Sequence, residues 1–335
     1  MRPKVPTRFL IVTVVLVVVG AAYEQAGRWR DHKRFPQIGR SVDIGGRSLN
    51  IYCSGEGSPA VVFDSGGVMP GYSWVSIQRE ISKSALSCWY DRAGYGWSDP
   101  GPFPRTSVTA ANDLHALLGV AHVGPPYVLV GHSLGGFNVR VYAGLYPDEV
   151  VGVVLVDPSH EDVDARIPRG RALLHMPSQL RPAFRMLILT SKRIGLLRLL
   201  GRRHESDHPS AGMTPTEWAT IQGLAAMPNT TEASMEGENS AEQARAAGDL
   251  GNRPLVVLTA GTPTRVRSET IAEAEEDQNT WTQLQAQLAR LSTRGRQVIV
   301  KNSGHMIPFE APDEIVQAVQ DVLADIKRSD LHRPR

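Results

Sequence analysis

Short apolar runs rich in valine, isoleucine and leucine recur along most of the chain. The first two, Ser41–Ile44 and Ser48–Cys53, flank Gly45-Gly46 and predict a pair of strands joined by a hairpin-type turn. The later runs are continuously apolar, which is typical of strands buried on both faces. They predict strands at 60–63, 87–90, 127–130, 150–156, 255–259 and 297–301.

Helical patterns lie between these apolar runs. They predict helices at Ser107–Ala121, Gly136–Tyr146, Asp277–Leu291 and Pro312–Lys327. Strands that alternate with helices predict an α/β fold, with a mostly parallel sheet that carries helices on both faces.

The alternation stops between Asp157 and Arg253. The gap is far longer than the connections of about 2–6 residues that are usual in α/β units, so residues 158–252 are predicted to form an inserted helical cap. Within it, Phe184–Leu200 mixes Met, Leu and Ile with lysine and arginine. This pattern favours a helix that lines a pocket over one that lies on a membrane surface. The core is then expected to comprise residues 35–157 and 253–335.

Residues 1–34 do not resemble the globular part of the chain. Basic residues, Arg2, Lys4 and Arg8, precede an apolar run from Phe9 to Ala22 that only Thr13 interrupts. The length of this run lies between that of a signal peptide and that of a spanning helix, which are about 7–15 and 17–25 residues.

Two cues in this segment oppose each other. Gly20-Ala21-Ala22 would suit a signal peptidase, whereas the basic stretch at 28–34 disfavours translocation of a cleaved precursor. We expect an uncleaved membrane anchor with an extracytoplasmic catalytic domain. A cleaved signal with a secreted product and a buried N-terminal helix are the alternatives.

Composition excludes several classes of protein. The formal net charge is +2 and charged residues are spread evenly, so no nucleic-acid partner is expected. The two cysteines, Cys53 and Cys88, are too few for a disulfide-rich scaffold or a multi-cysteine zinc site. We expect no metal or organic cofactor.

The sequence Gly131-His132-Ser133-Leu134-Gly135 follows the predicted strand at 127–130 and precedes a helical pattern. A nucleophilic serine on a sharp strand-to-helix turn needs small neighbours on both sides, and the glycines meet this need. The start of the following helix supplies N–H groups for developing negative charge. Ser133 is therefore the predicted nucleophile; a tight turn with an incidental serine is the alternative.

A serine hydroxyl needs a general base to become a nucleophile. His305 follows the last predicted strand and precedes the final helix, so it is expected at the carboxyl edge of the sheet, where open α/β sheets build their sites. We predict that His305 is the base rather than a surface or core histidine.

The segment Asp91-Arg92-Ala93-Gly94-Tyr95-Gly96-Trp97-Ser98 also follows a predicted strand. With the serine and histidine motifs, it resembles the Asp-x-x-Gly-x-Gly-x-Ser signature of α/β-hydrolases over roughly Val42–Ile326. The chain is most similar to N-terminally membrane-anchored bacterial members of unassigned substrate. The resemblance implies an α/β-hydrolase fold with an eight-stranded sheet, and hydrolysis by acyl transfer.

An oxyanion hole requires two backbone N–H groups. By resemblance, Leu134 supplies the first. Gly67, or a residue directly next to it, is the predicted source of the second, because Asp64-Ser65-Gly66-Gly67 stands where many relatives carry His-Gly. A plain glycine turn is the alternative.

The acid of a Ser-His-acid triad is less plainly marked. Relatives commonly place an aspartate after the strand corresponding to 255–259, but no carboxylate occurs there before Glu269. Asp157 ends the strand beside the nucleophile strand, as in pancreatic-type lipases, and is the preferred acid. A capping role for Asp157, and a water or backbone carbonyl in place of the acid, stay open. The other carboxylates that could serve are Glu269, Glu273, Glu276 and Asp277.

The family's strand order would set the strands of Cys53 and Cys88 side by side. A disulfide between them would indicate an oxidising, extracytoplasmic compartment. Two buried thiols that pack as small apolar groups are the alternative.

These observations predict a serine hydrolase of small carboxylic esters or related acyl substrates. A catalytically inactive binding module of the same fold is one alternative, supported by the missing acid after Thr259. A haloperoxidase-like enzyme or a carbon–carbon bond hydrolase is another. Epoxide hydrolases and haloalkane dehalogenases are disfavoured, because those relatives need an aspartate where Ser133 stands.

Overall fold

A computed structural model describes residues 7–167, 180–200, 209–227, 229–230, 239–263 and 270–331. Its centre is an eight-stranded sheet in the order β1-β2-β4-β3-β5-β6-β7-β8. The pairs β1–β2 and β2–β4 are antiparallel, and all other pairs are parallel. The strands are β1 (Arg40–Asp43), β2 (Ser48–Ser54), β3 (Ala60–Asp64), β4 (Ser87–Tyr90), β5 (Tyr127–His132), β6 (Val150–Val156), β7 (Leu255–Ala260) and β8 (Gly295–Val300). The predicted α/β-hydrolase fold is confirmed.

Helices cover both faces of the sheet. In chain order the described helices are α1 (Thr7–Arg34), α2 (Val75–Ile81), α3 (Ser107–Val120), α4 (Leu134–Leu145), α5 (Val163–Arg166), α6 (Arg181–Arg193), α7 (Leu196–Leu200), α8 (Pro215–Ala225), α9 (Ser240–Ala246), α10 (Ile271–Ala289), α11 (Ile307–Glu310) and α12 (Pro312–Leu331). Helices α3, α4 and α9 contribute to the core on one face, and α2, α8 and α12 contribute on the other.

The central strands explain why the core has two halves. Successive side chains of a strand point to opposite faces. Val128 and Val130 therefore join the cluster under α2 and α12, whereas Leu129 joins the cluster under α3 and α4. All three side chains are fully buried. A continuously apolar run is thus what a strand between two helical layers requires.

Cys53 and Cys88 are direct partners across the antiparallel pair β2–β4. They form a disulfide that joins residues 35 positions apart. The bridge links the antiparallel edge of the sheet to its parallel body.

Helix α1 carries the apolar N-terminal run. Ile11, Leu16 and Val19 are exposed, and the helix is long and apolar enough to cross a membrane by length and composition. The alternative of a buried N-terminal helix is therefore wrong for this run. After the helix, Phe35 packs into the core, and its carbonyl oxygen accepts a hydrogen bond of 3.0 Å from Trp97 Nε1.

The segment 184–200 differs from its prediction in two ways. It forms two helices, α6 and α7, separated at Gly195, whose φ is +68°. Phe184, Met186 and Leu187 on α6 are exposed rather than directed into a pocket, so the expectation that these side chains line a pocket is wrong. The cap boundaries at 158 and 252 stay a prediction, and parts of that segment lie outside the described residues.

Candidate active site

Ser133 occupies the turn between β5 and α4. Its φ of 51° and ψ of −118° lie outside the regions that ordinary residues favour. A Cβ atom on Gly131 would lie 2.4 Å from the carbonyl oxygen of Gly135, and one on Gly135 would lie 2.5 Å from that of Asp64. The two glycines are therefore required by space, as the sequence predicts for a nucleophile turn.

His305 lies on the loop between β8 and α11. Its Nε2 is 3.0 Å from Ser133 Oγ. The loop is held by Glu310, whose Oε2 accepts hydrogen bonds from Gly304 N at 2.6 Å and from Ser303 Oγ at 2.9 Å. These bonds fix the backbone just before His305 and so help to position its ring. The His305 side chain is 37% exposed.

Asp157 directly follows β6, and its side chain is buried. Oδ2 lies 2.6 Å from Nδ1 of His305. Oδ1 accepts hydrogen bonds from Ala260 N and Trp281 Nε1, both at 2.8 Å. The structure therefore brings Ser133, His305 and Asp157 into one hydrogen-bonded chain.

The alternative carboxylates lie elsewhere or are otherwise engaged. Glu269 lies outside the described residues. Glu273 caps the start of α10, where its Oε2 accepts hydrogen bonds from Thr270 N at 2.9 Å and Thr270 Oγ1 at 2.8 Å. Glu276 and Asp277 belong to the same helix. Because Asp157 already occupies the Nδ1 side of His305, the geometry favours Asp157 over these carboxylates.

The loop after β3 passes directly over the nucleophile turn. A Cβ atom on Gly66 would lie 3.3 Å from Ser133 Cβ, and one on Gly67 would have only Leu134 Cδ2 near it, at 4.0 Å. Leu134 is the first residue of α4, so its N–H has no partner within that helix. The two residues predicted for the oxyanion hole therefore lie on adjoining segments beside Ser133.

Arg92 holds this loop from behind, a role that the sequence alone does not reveal. Its buried guanidinium donates to Ser65 O at 2.5 Å and to Gly66 O at 2.9 Å, and it pairs with Asp64 Oδ1 at 2.5 Å. Tyr90 OH donates to the other oxygen of Asp64 at 2.7 Å. The arginine thus fixes the backbone of a loop that carries no His-Gly motif.

His132 supports the histidine loop. Its Nε2 lies 2.9 Å from the backbone oxygen of His305. Burial, with the nearby His305 adding to the effect, lowers the pKa of His132 to about 3. A neutral His132 therefore donates from Nε2 and holds the backbone of His305 in place.

Asp91 of the third motif is a structural hub. It accepts hydrogen bonds from Gly71 N at 2.6 Å, Asn50 Nδ2 at 3.0 Å and Trp97 N at 3.1 Å. Burial raises the pKa of its carboxyl group to about 6 despite these bonds. The motif therefore organises the loops at the carboxyl edge of the sheet rather than the reacting groups.

Among the residues that the structure describes, no group of three or more histidine, cysteine, aspartate and glutamate side chains is arranged to hold a metal ion.

Comparisons with known proteins agree with this fold. The sequence pattern of the alpha/beta hydrolase family matches residues 61–318. YqjL, an uncharacterized protein of Bacillus subtilis, is 25% identical over 268 residues, which cover 80% of this chain and 85% of that protein. A thermophilic esterase from Thermogutta terrifontis has a similar structure, with a TM-score of 0.59 and 20% identity over 87% of this chain and 99% of that one. At this identity the likeness shows the fold alone.

A further relative matches over a shorter stretch. The probable transporter efuK of Hormonema carpetanum is 34% identical over 135 residues, which are 38% of this chain but only 19% of that protein. The family pattern, by contrast, covers most of the chain. The chain therefore belongs to the alpha/beta hydrolase family.

Proposed function

We propose that the protein hydrolyses carboxylic esters or related acyl compounds, with Ser133 as nucleophile, His305 as base and Asp157 as acid. The observation that carries this proposal is the chain from Ser133 Oγ to His305 Nε2 at 3.0 Å and from His305 Nδ1 to Asp157 Oδ2 at 2.6 Å. A serine, a base and an orienting acid in this order are the requirements of nucleophilic catalysis by serine.

Acylation follows from this arrangement. Ser133 Oγ attacks the acyl carbon while its proton passes to His305 Nε2, and the carbonyl oxygen becomes an alkoxide. The N–H groups of Leu134 and Gly67 bind that alkoxide. When the bond to the leaving group breaks, His305 gives its proton to the departing oxygen. Asp157 keeps Nδ1 protonated and stabilises the charged ring.

Deacylation repeats these steps with water. His305 removes a proton from water, the hydroxide oxygen attacks the acyl carbon, and the same two N–H groups bind the second alkoxide. The bond to Ser133 then breaks, Oγ regains its proton from His305, and the carboxylic acid leaves. Every proton is returned, so the chemistry needs no further group.

The proposed location is outside the cytoplasm, with α1 as a membrane anchor. Helix α1 has the length and apolar character that a span requires. The Cys53–Cys88 disulfide supports an oxidising compartment for the catalytic domain. An uncleaved anchor agrees with the close packing of α1 against the rest of the chain, because Glu24 and Asp31 of this helix are buried against Arg198.

The deciding experiment is labelling of the full-length protein in detergent with a fluorophosphonate probe. We expect the wild type to be labelled and to cleave short p-nitrophenyl esters. Ser133→Ala should lose both the labelling and the ester cleavage. Ser82→Ala, at a partly exposed position just after α2, is the matched control and keeps both. Labelling of Ser133→Ala at the wild-type level would overturn the assignment, as would a folded wild type that the probe never labels.

A further inference from the structure

Two helices of the predicted cap, α6 and α7, carry an exposed apolar surface. Seven large apolar side chains are exposed on these helices or just before α6, and we call the six most exposed of them the cap patch; Met186, for example, is 63% exposed. Leu180, Phe184 and Leu187 follow the i, i+4, i+7 spacing of a single helix face. The members of the cap patch are Leu180, Phe184, Met186, Leu187, Leu199 and Leu200. A concentrated apolar surface of this kind marks an interaction site.

The helices that carry the cap patch pack against α1 near the end of its apolar run. A Cβ atom on Gly20 would lie 2.3 Å from Ile194 O, so the end of α6 packs directly on α1 where its apolar run ends. One turn further, Arg198 of α7 donates to Glu24 Oε2 at 2.9 Å and to Asp31 Oδ2 at 2.6 Å. These two carboxylates are buried, so α7 and α1 form one ion-paired unit.

Aromatic and basic residues of α1 mark the same height as a membrane–water boundary. Tyr23 and Trp29 are exposed, and Lys33 Nζ lies 3.8 Å from the centre of the Trp29 ring. Tyrosine and tryptophan are enriched at the level of lipid headgroups, and basic side chains extend from there into water. The turn at Gly195 contacts Tyr23, because a Cβ atom there would lie 2.9 Å from Tyr23 Cδ1.

Helix α1 as a whole is long enough to cross a membrane, but its most apolar part is shorter than the hydrocarbon core. Phe9–Ala22, at the rise of an α-helix, spans about 21 Å, whereas the hydrocarbon core is about 30 Å thick. A short span thins the bilayer locally or draws flanking apolar surface into it. The cap patch is the apolar surface that adjoins the end of this run.

We propose that the cap patch is embedded in the interfacial layer of the bilayer that α1 crosses, so that the hydrolase takes amphiphilic acyl substrates from the lipid phase. This inference rests on the membrane anchorage and the hydrolytic activity proposed above. Helix α1 ends at the carboxyl edge of the sheet, where Phe35 is bonded to Trp97 and where His305 also lies. The anchor, the cap patch and the reacting groups therefore adjoin the same edge of the molecule.

The location of the patch is tested in vesicles of phosphatidylcholine and phosphatidylglycerol in a ratio of about 7:3, a composition that also offers anionic headgroups to the basic side chains. Full-length variants with a bimane label at Leu187→Cys or Leu200→Cys are compared with Val120→Cys and Val15→Cys. Val120 is a matched control because it is 50% exposed but lies at the end of α3, near the opposite edge of the sheet. The native cysteines are bonded to each other and do not react.

Brominated lipid chains are expected to quench the labels at 15, 187 and 200 and to leave the label at 120 unchanged. Quenching at 15 with none at 187 and 200 would overturn the inference while leaving the anchorage intact. No quenching at 15 would overturn both. Energy transfer between two copies labelled at 187, without quenching by lipid, would show that a second copy covers the patch and would also overturn the inference.

Activity provides the second test. The double variant Leu187→Glu/Leu200→Glu is expected to hydrolyse p-nitrophenyl palmitate dissolved in the vesicles at least tenfold more slowly than the control Val120→Glu. The same variant should keep its rate on p-nitrophenyl acetate in water. Equal loss on both esters would overturn the inference, whereas absence of any activity in the wild type would refute the proposed hydrolysis itself.

Discussion

Trp281 donates its indole N–H to Oδ1 of Asp157 at 2.8 Å, although 124 residues separate the two along the chain. The second oxygen of Asp157 is thereby left to face His305. A carboxylate whose oxygens have separate partners cannot rotate without breaking one set of bonds. Helix α10 therefore helps to fix the orientation of the Asp157 carboxylate, which directly follows strand β6.

The role of this acid is tested by Asp157→Asn. The amide no longer stabilises a charged His305 ring and favours the wrong tautomer, so kcat on p-nitrophenyl acetate should fall by about 10³- to 10⁴-fold with a small change in KM. Glu273→Gln, which alters an alternative carboxylate at the start of α10, should stay within about twofold of the wild type. Retained activity in Asp157→Asn together with a large loss in Glu273→Gln would assign the acid to the helix.

Arg92 should act as a positioning residue for the oxyanion hole. Arg92→Met removes the hydrogen bonds to Ser65 O and Gly66 O, and displacement of the loop by about 1 Å is expected to lower kcat by about 100-fold. KM should change little, because the loop contacts the transition state more strongly than the substrate. Steady-state kinetics on a soluble ester separates the two effects.

The control for Arg92→Met is Arg253→Met. Arg253 also donates to several backbone carbonyls, those of Pro147, Val150 and Leu250, but it lies at the amino edge of the sheet. Arg253→Met should lower the free energy of unfolding and leave the kcat of the folded protein unchanged. If both variants lose kcat equally, Arg92 serves the fold alone.

His132 predicts how stability depends on pH. The pKa of His132 in the folded protein, about 3, lies below the ordinary value of 6.5. Between these two pH values the unfolded chain binds a proton at His132 and the folded protein does not. This contribution to stability is complete above pH 6.5 and is lost as pH falls toward 3. Between pH 7.5 and 5 the free energy of unfolding should drop by roughly 2 kcal/mol from this residue.

Urea unfolding at the two pH values, in the same detergent, measures this drop. His132→Gln keeps a donor near His305 O but has no titrating ring, so its free energy of unfolding should decline less between pH 7.5 and 5 than that of the wild type. An identical decline in both proteins would mean that other groups account for the acid sensitivity.

The disulfide should contribute to stability through the unfolded state. Cys53→Ser/Cys88→Ser opens a loop between residues 35 positions apart, and the free energy of unfolding should fall by about 2–4 kcal/mol. A phosphine reductant should lower the stability of the wild type toward that of the variant and leave the variant unchanged. A wild type that is insensitive to the reductant even when unfolded would show that the bridge does not form.

Much of the fold follows from the sequence because continuous apolar runs have few ways to be buried. The strands 150–156 and 255–259 were predicted within one residue of β6 and β7. Helix α2 was missed, since its seven residues are held by the packing of Ile77 and Ile81 rather than by a long periodic pattern. Helix α10 begins six residues before its predicted start; the capping box of Thr270 and Glu273 is the signal that would have found it.

The candidate site divides in the same way. Ser133 and His305 are marked by local motifs, and the structure brings them together. The contacts of Arg92 and Trp281 depend on the register of the sheet and on the packing of α10, which no local pattern encodes. Asp157 lies between these cases: the sequence made it the preferred acid because it ends a strand, and the fold adds the 2.6 Å contact of its Oδ2 with His305 Nδ1.

The bond between Trp97 Nε1 and Phe35 O gives α1 a property that a flexible tether lacks. Phe35, the first residue after α1, is hydrogen-bonded to the loop after β4, so in the proposed anchorage this bond helps to hold the rest of the protein in one orientation relative to α1. If the substrate is taken from the bilayer, as proposed, it reaches the enzyme by diffusion in two dimensions. The rate on a lipid substrate should follow its mole fraction in the membrane rather than its amount per volume of solution.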